Sequence, residues 1–146
     1  MPGTPPWTLR AYQPADEAGV VALWQDCGLT RPWNDPARDI RRKLQVQADG
    51  FAVALAADGR LIGSVMAGYE GHRGWINYLA VAPQAQRAGL GRGLMAWAEA
   101  WLRARGCPKI NLQIRRDNLA AIGFYQAIGF GEDAVVSLGK RLVHDD

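Results

Sequence analysis

The chain has 146 residues, a length that suits one domain, and its 49% hydrophobic and 21% charged residues are an ordinary globular composition. A net charge of +3 is too mild to point to nucleic acid, and no apolar run approaches the ~20 residues of a membrane helix. Two cysteines and two histidines without metal or redox spacing argue against a zinc site and for reduced thiols in a cytoplasmic protein.

The opening MPGTPPW lacks the basic and apolar regions of a signal peptide. Residues 1–6 are expected to be the frayed end of a single domain spanning 1–146. A first strand is predicted over 8–12. A helix follows over 14–27, with Val20, Val21, Trp24 and Cys27 on one face. LTRPWNDPARD interrupts it. Asp35 before Pro36 reads as a helix start, a side-chain cap and then a proline at the first helical position. Ile40 and Leu44 give that second helix a short apolar face, and it is expected to run to about Asp49-Gly50.

Residues 51–56 and 61–69 read as strands joined by ADGR, which carries an Asp-Gly hairpin signal. EGHRG turns the chain again into a strand over 75–81. Connections this short make the three an antiparallel meander. A helix over 90–105 buries Leu90, Leu94, Trp97, Trp101 and Leu102, and Gly106 stops it. Alternation of Ile110, Leu112 and Ile114 with polar neighbours predicts a strand over 110–114. A fourth helix over 118–128 ends at Gly129, and a last strand is predicted over 135–143. The central strand–loop–helix–strand unit is a right-handed crossover between parallel strands. The fold class is mixed α/β, a largely antiparallel sheet flanked by about four helices.

The loop of that unit, QRAGLGRGLM at 86–95, sets two glycines and two arginines at a helix start. Amides in the first turn of a helix have no internal partner and carry the positive end of the helix dipole, so an anion suits them. A glycine-softened helix start with solvated arginines is the plainer alternative. The Walker pattern is absent. GRGLMA fits GxGxxA, with Asp117 where a ribose-binding acid could stand, but a dinucleotide fingerprint sits directly on a strand end, and here APQAQRA intervenes.

LAVAPQAQRAGLGRGLM resembles the coenzyme-binding segment of the GNAT acetyltransferases, [QR]xxGxG after an LxV strand. NLAAIGFYQAIGF at 118–130 resembles that family's second segment, and SLGKRL at 137–142 its closing strand. RPWNDP, GYEGHRG and RGCPKI are further similar to the YpeA-type subgroup. The resemblance implies a coenzyme-binding β-α-β unit that uses acetyl-coenzyme A. The loop of Gln86, Arg87, Ala88, Gly89, Leu90, Gly91 and Arg92 would hold the pyrophosphate. The backbone of Leu79, Ala80 and Val81 would pair with pantetheine, with the Leu79 amide polarising the thioester carbonyl. Asn118 would bond pantetheine or cap its helix, and Tyr125 matches the family's proton donor.

The proton acceptor is less determined. Relatives of the RimI type place a Glu where this chain has Gln113, and an amide cannot take a proton. Glu70 is the substitute, acting directly or through water, with turn-tip solvation as its plainer role. His72 is another option. Trp33 and Asp35 could clamp a cationic, partly apolar amine, while a helix cap at Asp35 accounts for the same residue. Gln113 stands beside the acceptor position.

The function these features predict is acetyl transfer from acetyl-coenzyme A to a primary amine, a small molecule or a peptide, by direct attack and without a metal. The alternative is an acyl-coenzyme A sensor without catalysis, which Gln113 motivates. A nucleic-acid binder would rest only on mild basicity and Arg115–Arg116, without interleaved aromatics. No membrane partner is expected. Six tryptophans leave room for an apolar contact between two copies, so a homodimer is an open arrangement.

Overall fold

The structure is a computed structural model that describes residues 6–145; of the proline-rich start expected to fray, residues 1–5 lie outside the described part. Five strands form one sheet in the order β1-β2-β3-β4-β5. They are β1 (Trp7–Ala11), β2 (Phe51–Ala56), β3 (Leu61–Tyr69), β4 (Gly74–Val81) and β5 (Ile110–Asn111). The first four pair antiparallel, and β4 pairs β5 in parallel. The helices are α1 (Glu17–Asp26), α2 (Pro36–Leu44), α3 (Leu90–Arg103) and α4 (Leu119–Ala127). The meander and the β4–α3–β5 crossover are thus as the short turns and the glycine loop predicted.

Burial explains the central strands. Phe51, Ala52, Val53 and Ala54 of β2 are fully buried, so β2 reads as a near-continuous apolar run. α3 lays Leu90, Leu94, Ala98 and Leu102 against the sheet, a stripe at helical spacing. Trp97, predicted inside, is only half-buried; Met95 takes a place in the core. α1 buries Val20, Leu23 and Trp24, whereas Val21 and Cys27 sit at the margin. The close approach of α3 to β1 depends on Gly93, where a Cβ would stand 2.5 Å from the Trp7 ring.

Four sequence expectations are corrected. The predicted first helix begins as a 3-10 turn, Pro14–Asp16, because Pro14 starts it and Asp16 closes it: the Asp16 carboxylate accepts from the Gln13 amide and from Arg10. The second helix ends at Leu44 instead of Gly50. The Gln47 backbone is left-handed there, with φ 55°, and a separate 3-10 turn, Ala48–Gly50, follows. Leu44 is consequently exposed, and Ile40 alone is buried on that helix.

The strand predicted over 110–114 pairs only at Ile110 and Asn111. The predicted last strand, 135–143, does not form; Val135, Val136, Leu138 and Leu142 are exposed. Apolar residues there fall on both parities, so no single face is specified, and β5 ends too early to offer a paired edge. Side chains tether this segment instead. Lys109 Nζ donates to Asp133 at 2.9 Å, Arg141 donates to the Trp33 carbonyl, and Asp145 binds Arg42.

Candidate active site

The site grows from an irregularity in β4. Ser64 of β3 faces Ala80 and Met66 faces Asn77, so Tyr78 and Leu79 together oppose Val65. This is a β-bulge, and Tyr78 has φ 52°, uncommon for a residue with a bulky side chain. Its neighbours hold it there. The Tyr78 ring stacks on buried Trp24 with centroids 3.7 Å apart. Ser64 Oγ, fully buried, donates to the Tyr78 carbonyl at 2.8 Å and accepts from Trp24 Nε1 at 2.9 Å. The Tyr78 hydroxyl donates to Asp39 Oδ2 at 2.6 Å.

β5 pairs with β4 only at Gly74 and Trp75. Beyond Ile76 the edge of β4 has no strand beside it among the described residues, and a cleft of about 640 Å³ opens there between β4 and residues 112–115. A free strand edge offers alternating amides and carbonyls to an extended ligand. The cleft is lined by Leu79, Gln113, Asn118 and Tyr125 and, from the α1–α2 loop, by Arg31 and Trp33. Asp39 is the one carboxylate residue lining it.

At the end of β4 the turn Pro83–Ala85 leads into the glycine loop. Gly89 is left-handed, φ 81°, and forms the N-terminal boundary of α3. Its carbonyl accepts the first helical bond, from Gly93 at 3.0 Å. Among the described residues, none of the amides from Arg87 to Arg92 donates to a protein acceptor. Arg87 and Arg92 have no carboxylate partner there either. Gly91 is required for packing: a Cβ on it would lie 3.1 Å from the Phe124 ring of α4. Gln86 turns back, with Nε2 3.4 Å from the Val81 carbonyl, which also accepts from Cys27 Sγ.

Tyr125 reaches the cleft from α4 while its ring packs edge-on against Phe124 and Phe130, at 5.1 and 5.6 Å between centroids. Burial pushes its phenol up to about 12, so it is protonated at neutral pH. Its hydroxyl has no protein partner among the described residues. Asn118 caps α4, its Oδ1 accepting from Ala121 N at 3.2 Å.

Other expected residues are not brought together. Glu70 is an exposed turn residue whose carboxylate accepts from the amides of His72 and Arg73, and these bonds hold its pKa below the usual carboxylate range. It sits in the turn that precedes β4, while the cleft opens past Ile76, so it is not at the site. Asp35 caps α2, accepting from Ala37 N at 2.9 Å and Arg38 N at 3.3 Å, and does not line the cleft. Gln113 donates to Ser137 Oγ. Ala80 is buried, leaving its backbone as its only use at the site.

Sequence reasoning missed Asp39, Tyr78 and Arg31. Only the bulge turns the tyrosine toward α2, and no residue type announces it. Among the described residues no group of three or more His, Cys, Asp or Glu side chains could hold a metal ion. None of the helices there is long and apolar enough to cross a membrane.

The sequence model of the acetyltransferase (GNAT) family matches residues 18–130. An acetyltransferase of Pectobacterium atrosepticum is 45% identical over 137 residues, covering 94% of this chain and 96% of the relative. Among solved structures, Ard1 from Thermoplasma volcanium superposes with a TM-score of 0.76 at 27% identity, covering 88% of this chain and 85% of its own. AAC(6')-Iy, solved with the bisubstrate analogue CoA-S-monomethyl-acetylneamine, superposes with a TM-score of 0.74 at 23% identity, covering 92% and 98%.

Proposed function

The chain belongs to the acetyltransferase (GNAT) family, and on that premise we propose that residues 1–146 act as one domain that transfers acetyl from acetyl-coenzyme A to a primary amine by direct attack. The observation that carries this reading is the run of amides from Arg87 to Arg92 without protein acceptors among the described residues, at the start of a 14-residue helix and beside two arginines that have no carboxylate partner among those residues. Such a run fits a pyrophosphate, whose oxygens accept several short, charge-assisted bonds. Gly89, with open space at its Cβ position, keeps that surface bare, while Gly91 lets Phe124 pack against the first turn.

The free edge of β4 supplies the next part. Backbone groups from Leu79 to Val81, apart from the Val81 carbonyl that accepts from Cys27 and Gln86, would match the peptide-like groups of a pantetheine arm laid beside them. Leu79 lies in the bulge, where the β3–β4 register is broken, and its amide is the proposed donor to the thioester oxygen as negative charge develops. The amine lone pair attacks the carbonyl carbon. Collapse then breaks the carbon–sulfur bond while Tyr125 donates a hydrogen bond to the departing sulfur, and the surplus proton of the nitrogen passes to water in the open cleft, leaving the amide and the coenzyme thiolate. No covalent enzyme intermediate is needed: Cys27 is half-buried, its thiol is pushed up by burial, and its Sγ is directed to a carbonyl.

The experiment is a calorimetric titration of the purified protein with acetyl-coenzyme A. Saturable binding that Gly91→Val weakens at least tenfold is the expected result. Absence of binding would reduce the glycine loop to a helix start and overturn the reading.

A further inference from the structure

We propose that the amine acceptor also carries an anionic group, in practice a carboxylate, with Asp39 and Tyr78 receiving the amine and Arg31 the anion. The inference rests on the acetyltransferase reading and names the substrate class for its cleft.

The charge lining the cleft is two guanidiniums, Arg31 and Arg115, against one carboxylate, Asp39. Asp39 accepts from Arg42 at 3.0 Å as well as from Tyr78, but shares that arginine with a second carboxylate. Arg42 in turn is held at 2.7 Å by Asp145, whose side chain is 1% exposed. One acidic group can therefore receive one ammonium, and its Tyr78 and Arg42 bonds fix its position. A polyamine or a multiply charged aminosugar would bring further cations toward Arg31 and Arg115, which is unfavourable in a partly desolvated cleft.

Arg31 is prepared for an anion. Its Nη1 donates to the carbonyls of Gly28 at 2.8 Å and Thr30 at 2.9 Å, and an isolated bridge to Asn34 closes the loop that carries it. The side chain is thus half-buried and held, yet among the described residues no carboxylate pairs with it. A guanidinium with donors to spare in a cleft is suited to bind a carboxylate by two parallel bonds.

The test is a panel of free amino acids, each beside its own carboxamide, together with spermidine and kanamycin, assayed by release of the coenzyme thiol. Acetyl-coenzyme A binding, measured separately on every variant, reports both folding and the underlying reading. We expect at least one amino acid to be acetylated tenfold or more better than its carboxamide. Arg31→Met is expected to raise KM for that acid at least tenfold and to erase its advantage, with Arg31→Lys restoring part of it. Asp39→Asn is expected to lower kcat/KM for acid and carboxamide alike. A preference for carboxamides, spermidine or kanamycin overturns the proposal. So does a panel without any acetylated amino acid when the coenzyme binds. Failure to bind the coenzyme overturns the acetyltransferase reading itself.

Discussion

Replacing Tyr125 by Phe removes one oxygen from the proposed site and little else. The hydroxyl has no protein partner among the described residues, and the ring's edge-on contacts with Phe124 and Phe130 involve carbon only. The phenol stands at about 12, whereas a thiol titrates near ~8.5. Complete proton transfer to the leaving sulfur is then uphill by roughly 5 kcal/mol. A hydrogen bond that strengthens as the sulfur gains charge is the cheaper course. Such a bond to a charged group contributes about 1.5–3 kcal/mol. Tyr125→Phe should therefore lower kcat between about tenfold and a hundredfold.

A thioester sulfur is a weak acceptor before reaction, so the affinity for acetyl-coenzyme A should stay within about twofold. The melting temperature should stay within a degree or two. The assay pairs thiol release under saturating acetyl-coenzyme A, with the best amine from the acceptor panel, with calorimetry of coenzyme binding. Because burial holds the proton on Tyr125 up to about 12, the wild-type kcat should not fall through phenol ionisation between pH 8 and about 10.5. An unchanged kcat in the Phe variant would refute the donor role, and a matching loss of coenzyme affinity would make the hydroxyl a binding group instead.

Other outcomes follow from buried contacts. Ser64→Ala strands the Trp24 indole N–H in the core and frees the Tyr78 carbonyl, so chemical denaturation should show a loss of about 1–3 kcal/mol with an unchanged m-value. Gly93→Ala places a methyl 2.5 Å from Trp7, and the overpacking, typically about 1–3 kcal/mol, should exceed the roughly 1 kcal/mol gain in helix propensity, giving a lower melting temperature. Asp16 is held below the usual carboxylate range chiefly by its bond from Arg10, so its contribution is complete above a pH of about 4 and is lost as pH falls through the lowered folded-state value. Urea unfolding across pH 2–6 should show a shallower acid decline in Asp16→Asn than in the wild type.

The parts of the fold that were legible in the sequence are those set by local chemistry. The Asp-Gly turn fixed the β2–β3 hairpin, and the Asp35–Pro36 pair marked the start of α2 because a carboxylate beside two free amides needs no distant partner. The glycine loop was legible for the same reason, since bare backbone at a helix start is a local property. What failed depended on neighbours. Alternation over 110–114 describes side chains, while a strand is made by its partner's hydrogen bonds, and β4 pairs with this segment only at Gly74 and Trp75. Glu70 failed in the opposite direction, because two amides within three residues captured its carboxylate before any cleft could.

The bulge at Tyr78 joins these failures to function. A left-handed backbone costs a residue with a Cβ roughly 1–2 kcal/mol, and nothing in the hairpin requires it. Three independent restraints hold it: the stack on Trp24, the Ser64 bond to its carbonyl and the Asp39 bond to its hydroxyl. Two of the three come from α1 and α2, the helices packed against the cleft, so strain in β4 is balanced by the elements that border it. The edge of β4 is open beyond Ile76, Leu79 lies where the β3–β4 register is broken, and the Tyr78 hydroxyl donates to Asp39, which lines the opening. One unfavourable φ angle therefore sits among the proposed coenzyme edge, the proposed carbonyl donor and the proposed amine contact, and of these three only the amine contact went unmarked by the strand's own residues.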